Sequence, residues 1–292
     1  MIAIRELAEA VYPYPMRGCH LMIFRFHCDI SYDGSSEGNI KGKAHDPITY
    51  VFAGFFSSST TWGEVETEWI ATNKKHRVKR FHAAHLNSKT YEYDGWDDPH
   101  KIEYSAELLA AIHKQGHKMY AVTCGMFADE YRRIISEEGR RKMGSPYLAC
   151  FNSCIVRVAR MMDEPGPGNI LPEDKFSVLI DTDDGYLDAV RSFYQIKDDT
   201  RFPHRSRLAT CTPAKMEEVV SMQPADMVAY ETFKRLHVQR KRKGEIRHVL
   251  KSLMGNNAVN ECYFGTKTLE KMKNQIELTP AGDGRLIIIP QN

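Results

Sequence analysis

The chain has 292 residues, 42% of them hydrophobic and 27% charged, which suits one large or two modest globular domains with a sizeable core. Lys and Arg number 40 against 38 Asp and Glu, so a formal net charge of +2 announces no partner by itself. No apolar run approaches the roughly 18 residues that a membrane span needs, and seven cysteines without a C-x-x-C pair speak against a zinc or disulfide framework and for a reducing cytoplasm.

The first segment, MIAIRELAEAVYPYPMRG, lacks the uninterrupted apolar stretch and cleavage site of a signal peptide and reads as a leader over 1–20. LMIFRFHCDIS then alternates as a strand does. Phe24, Phe26, Cys28 and Ile30 fall on one face, and Arg25, His27, Asp29 and Ser31 on the other. A polar loop, DGSSEGNIKGKAHDP, leads to ITYVFAGFF, whose unbroken apolarity predicts a central strand. TTWGEVETEWIATNKK predicts a helix with a Thr61/Glu64 capping box and Trp62, Val65 and Trp69 on one face. RVKRFHAAHL is read as a third strand and its exit. PHKIEYSAELLAAIHKQG is read as an amphipathic helix ended by Gly116, and HKMYAVTCGM as a fourth strand.

Helices are expected around 129–138 and 147–162, with Cys150 and Cys154 as small core residues. After the break DEPGPGNILPED come a buried strand KFSVLID, a helix GYLDAVRSFYQI and a short strand near RLATCT. The helix in SMQPADMVAYETFKRL is expected to open at Pro224 with Asp226 in its first turn, where an acid complements the helix dipole. Lys234 to Lys251 then holds eight Lys or Arg and one Glu, and GRLIIIP is a further strand candidate. Strands interleaved with helices make the fold α/β with a layered core.

Three aspartates stand where ligands gather in open α/β sheets: Asp29 on the first strand, Asp181 at the end of an apolar strand, and Asp226 near a helix start. Each has a plain structural role open to it, in a turn, at a sheet edge or as a dipole partner. Together, carboxylates converging on one point repel unless a cation lies between them. Mg²⁺ or Mn²⁺ suits such an oxygen set, and two such ions can serve phosphodiester hydrolysis. Gln223, Asp226 and Tyr230 share a helix face, while Glu231 points elsewhere. His82 is either a satisfied, partly buried histidine or an acid–base group and phosphate donor. The basic run, with Arg240, Lys241, Arg242 and Lys243 at its centre, is either a solvated face or a contact for a nucleic-acid backbone; no aromatic residue interleaves its basic cluster.

The order of CDISYDG, YVFAGFF with TWGEVETEW, FHAAHL, YEYDGWDDPHK, VLIDTDDGY and MQPADMVAYETFK resembles a large bacterial family known as domain of unknown function 3800, regarded as ribonuclease H-like. The resemblance runs from about His27 to Leu236, and the Q-x-A-D-x-x-A-Y-E piece is its most specific part. It implies a ribonuclease H-like central mixed sheet flanked by helices over 21–236, with a basic C-terminal extension over 237–292. It also implies a divalent-metal site on Asp29, Asp181 and Asp226, with His82 in the middle motif and Ser31, Gln223, Tyr230 and Glu231 as companions.

Two departures stand out: Ile30 replaces the family's usual glutamate, and His85 replaces an acid. The expectation is a metal-dependent nuclease or phosphodiesterase, in a mobile-element or phage-defence setting. The alternatives are a catalytically inactive nucleic-acid-binding relative and a protein-interaction subunit, with a protein partner or a homo-oligomer in view.

Overall fold

The computed structural model describes residues 19–29, 49–164, 170–182, 185–241, 247–256 and 259–277. A six-stranded mixed sheet has the order β5-β4-β1-β2-β3-β6. Its strands are β1 (Cys19–Asp29), β2 (Thr49–Ser58), β3 (Tyr120–Phe127), β4 (Lys175–Asp181), β5 (Leu208–Ala214) and β6 (Val259–Phe264). β1, β2 and β3 form an antiparallel meander, while β4 runs parallel to β1, β5 to β4, and β6 to β3.

Helices cover both faces, which is why β2 is apolar at nearly every position. Val51, Ala53 and Phe55 enter one core, and Phe52 and Phe56 enter the other. The first core receives Trp62 and Trp69 from α1 (Ser59–Lys75), Tyr104 and Leu108 from α3 (Asp98–His113), and much of α8 (Met222–Lys241). The second is filled by Phe151, Ile155 and Val158 of α6 (Pro146–Met161) and Phe193 of α7 (Tyr186–Asp198). α8 lies so close on β3 that a Cβ added at Gly125 would meet Leu236 Cδ1 at 2.2 Å. It is buried around its circumference from Met222 to Phe233, as befits a helix inside a core.

Several local expectations change. Residues 77–82 are not a strand: Arg77 takes a left-handed φ of 58°, and the segment turns into a short helix α2 (Ala83–Ser88). From Lys79 to His82 the backbone donors go to side chains rather than to a neighbouring strand. The cap of α1 is Ser58, whose hydroxyl accepts from Thr61 N at 3.2 Å; the expected Thr61/Glu64 box is not used. The helix expected over 129–138 divides into α4 (Ala128–Ile134) and α5 (Glu137–Met143), because Ser136 caps a new start by accepting from Gly139 N.

α8 begins at Met222, so Asp226 lies beyond the first turn and is fully buried; it is not a dipole partner in solvent. α8 also continues past position 236, and β6 adds to the sheet edge after the short α9 (His248–Asn256), with α10 (Thr266–Glu277) following. The strand candidate at 284–290 lies outside the described residues. Among the described residues no helix is long and apolar enough to cross a membrane.

Candidate functional site

α8 presents two acceptors to the segment leading into α2. Gln223 Oε1 accepts from Phe81 N at 2.9 Å, Trp69 Nε1 at 3.1 Å and Asn73 Nδ2 at 3.0 Å. Asp226 Oδ2 accepts from Ala83 N at 2.7 Å. Positions 223 and 226 are one helical turn apart on one face, so they reach alternate N–H groups of an extended segment. Two side chains thus take the place of a neighbouring strand. The Tyr93 hydroxyl completes the clamp: it accepts from His82 N at 3.2 Å and donates to Arg80 O at 3.3 Å. Burial pushes the Tyr93 phenol up to about 12, so it remains a donor at neutral pH.

The clamp holds His82 with its Nδ1 3.8 Å from Asp226 Oδ2. His82 and Asp181, which ends β4 and is 8% exposed, line one cleft of about 550 Å³ with Arg80, Thr182, Lys215 and Glu217. His82 thus shares a cleft with Asp181 and a contact with Asp226, which is fully buried and does not line that cleft; 99 and 45 positions separate the three in the chain. Arg80 pairs with Glu217 at the rim.

Asp29 is described as backbone. Phe24 pairs with Ile180, so Asp181 is level with position 25, and Asp29 lies four residues farther along β1, roughly 13 Å at strand rise. The carboxyl-bearing positions of β1 and β4 are thus not side by side. Ser31, Arg242 and Lys243 lie outside the described residues, and Arg240 and Lys241 are described as backbone at the end of α8.

Gln223 is a scaffold residue, buried and saturated with donors. Tyr230 and Glu231 face away from the Asp181 cleft, toward Arg247. The Arg247 guanidinium carbon is 5.7 Å from the Tyr230 ring centre, and its Nε is 3.2 Å from Glu231 Oε2. Glu231 borders a separate, largely apolar cavity of about 480 Å³ with Leu109, Met227 and Val249. Burial raises the Glu231 carboxyl above its usual range, against the opposing pull of Arg247, Lys101 and Lys234.

One group of ligand-type side chains went unnoticed in the sequence. His76, at the end of α1, meets Glu103 and Glu107 of α3, and their ligand atoms all lie within 4.8 Å of one another. This His/Glu/Glu cluster could hold a divalent metal ion, and it is the one such group among the described residues. His76 Nε2 is 3.2 Å from Glu107 Oε2, and its Nδ1 is 3.0 Å from His100 Nε2. Lys75 also contacts both carboxylates, and its hydrogen bond is the largest influence holding Glu107 below its usual value. The signal available was the i, i+3, i+7 spacing of His100, Glu103 and Glu107 on one helix face. The partner, His76, comes from another helix.

Elsewhere, Cys124, Cys150, Cys154, Cys211 and Cys262 are buried free thiols. Comparison with protein-family profiles, with curated proteins and with solved structures gives no significant match.

Proposed function

We propose that the protein is a divalent-metal-dependent phosphodiesterase acting on nucleic acid, built on a ribonuclease H-like fold. The observation that carries this reading is that Asp181 and His82 line one open cleft, with Asp226 buried behind His82. The sheet is compatible with it: an antiparallel meander is continued beside β1 by two parallel strands, with helices on both faces. Asp29 joins the ligand set by resemblance alone.

The donor chemistry fits the ion. A carboxylate is an acceptor-only group that suits Mg²⁺ or Mn²⁺, and Asp181 opens onto the cleft, while Asp226 lies buried behind His82. A cation held there would supply charge neutralisation and a more acidic water. The chain's own residues do the rest. Asp226 fixes Ala83 N and thereby the start of α2. His82, anchored through its backbone by Tyr93, is poised to donate to a phosphate oxygen or to move a proton to or from the leaving group. Arg80 and Lys215 stand at the cleft rim beside Glu217 and Glu218, with Arg80 paired to Glu217.

Cleavage of mixed RNA and DNA with Mn²⁺ tests the reading. Asp181→Asn and Asp226→Asn should each lower the rate by about a hundredfold or more, the order expected for losing charge at the reacting phosphate. Asparagine keeps an acceptor for Ala83 N, so Asp226→Asn should still fold. His76→Ala should leave the rate unchanged. Equal cleavage by wild type and Asp181→Asn overturns the assignment. A loss confined to His76→Ala moves the metal to the α1–α3 cluster. A second reading, a nucleic-acid-binding protein without hydrolysis, is favoured by the four-residue offset of Asp29 from Asp181. It predicts salt-dependent binding with no cleavage by wild type.

A further inference from the structure

His82 is the innermost of three aromatic rings in a row. Its ring stacks on His85 at 4.0 Å with 15° between planes, and His85 lies 4.3 Å from Tyr91. The row leads outward from Asp226. Tyr91 is 76% exposed, the most exposed large hydrophobic side chain among the described residues. Its own φ is 57°, and two residues earlier Lys89 has φ 55°. A left-handed backbone is unusual for a bulky residue and persists when its surroundings fix it. They do so here. Thr90 N donates to His85 O, Tyr93 N donates to Thr90 O, and the Ser88 and Thr90 hydroxyls are 3.0 Å apart. An exposed aromatic ring is therefore held stiffly at the end of a stack, where ordering it costs nothing further on binding.

The acids lie one cleft away. Tyr91 and His85 line a cleft of about 550 Å³ with Lys79 and Arg80. Arg80 and Glu217 also line the cleft of Asp181 and His82, so the two clefts adjoin across this ion pair. The acids on this path are engaged: Glu217 pairs with Arg80, and Glu92 Oε2 accepts from the backbone N–H groups of Lys79 and Arg80. Lys79 is exposed beside them. A planar, sequence-tolerant surface next to cationic side chains, one cleft away from a candidate phosphate site, matches what an unpaired base with its phosphate requires. In a duplex the base faces are covered by their neighbours, and the ring would have nothing to stack on.

We propose that Tyr91, backed by His85 and His82, is a stacking platform for a base of single-stranded nucleic acid, which makes single strands the substrate class of the adjoining site. This rests on the phosphodiesterase reading but makes a separate claim about binding. Fluorescence anisotropy with labelled single-stranded RNA and DNA, and with duplexes of the same sequence, tests it in EDTA, where cleavage does not contribute. Wild type should prefer the single strands. Tyr91→Asn should weaken single-strand binding roughly five- to 150-fold and leave duplex binding unchanged, and Tyr91→Phe should retain the affinity. Asparagine is chosen because it tolerates the left-handed backbone.

As a second measurement, an oligonucleotide carrying 2-aminopurine should change its fluorescence on binding wild type and Tyr91→Phe, and lose that change with Tyr91→Asn. Equal single-strand affinity for Tyr91→Asn and wild type overturns the platform. If that occurs while wild type cleaves, the phosphodiesterase reading stands without it. If wild type binds neither strand form, both readings fall together.

Discussion

Gln223 offers the sharpest test of how the site is held. Its Oε1 takes three donors, two of them side chains of α1 and one the backbone N–H of Phe81, all buried. Gln223→Met keeps the length and approximate volume of the side chain, so no large cavity opens. It removes the shared acceptor. Each buried donor left without a partner costs about 1–3 kcal/mol, and three of them together, with partial relaxation, give about 3–6 kcal/mol. Such a loss is a large share of the 5–15 kcal/mol typical of a domain. Urea unfolding followed by circular dichroism should show a much lower midpoint with an unchanged slope. Because Phe81 and Ala83 are held together, the same variant should also loosen His82 and lower any Mn²⁺-dependent cleavage. A loss below about 1 kcal/mol would refute the reasoning, because it would mean that the donors find other partners and that Gln223 is not the anchor of residues 78–83.

Two further perturbations follow from buried charges. Arg207 is 6% exposed and binds Asp163 together with the carbonyl oxygens of Met162, Leu171 and Asp174. Arg207→Met should destabilise by about 3–5 kcal/mol in urea unfolding, since three carbonyl groups lose a buried charged donor and Asp163, at the surface, loses its partner. For Glu231, burial raises the folded-state carboxyl above its unfolded value near 4.5. Its contribution to stability is therefore fully present below that pH and is lost as pH rises through the raised value. Glu231→Gln removes this loss, so its stability relative to wild type should improve steadily from acid to neutral pH; parallel curves would refute the shift.

Much of the frame was legible because it depends on local pattern. β2 was readable as central because an unbroken apolar run suits only a strand buried on both faces, and β4 because a short apolar run ends sharply at Asp181. Trp62 and Trp69 were readable as core from helical spacing. The segment 77–82 misled because its alternation resembles a strand, while its acceptors are side chains, Glu92 and Tyr93 from the next loop and Gln223 142 positions away. Nothing local reveals that Gln223 and Asp226 stand in for a neighbouring strand.

Tyr91 was hidden for another reason. Its motif reads as ordinary aromatic residues in a polar loop, and neither the left-handed backbone nor the stack on His85 has a sequence signature. His85 takes on meaning there: its imidazole lies between the rings of His82 and Tyr91.

The two possible cation centres differ in what already occupies their charge. At the α1–α3 cluster Lys75 sits against Glu103 and Glu107, and His76 is engaged on both nitrogens by Glu107 and His100. A metal there must displace an ammonium that already neutralises the carboxylates, and must take His76 Nε2 from its present partner. The resulting site would stand at the joint of two helices, away from the cleft that carries His82.

At the β4 cleft Asp181 comes from a strand end, a rigid support that holds a ligand geometry, and the cleft that carries Tyr91 adjoins it. A cation at the first centre would chiefly tie α1 to α3. One at the second would meet a phosphate whose neighbouring base rests on Tyr91. That difference in surroundings, more than the number of ligands, is why the proposed chemistry is placed beside Asp181 rather than at His76.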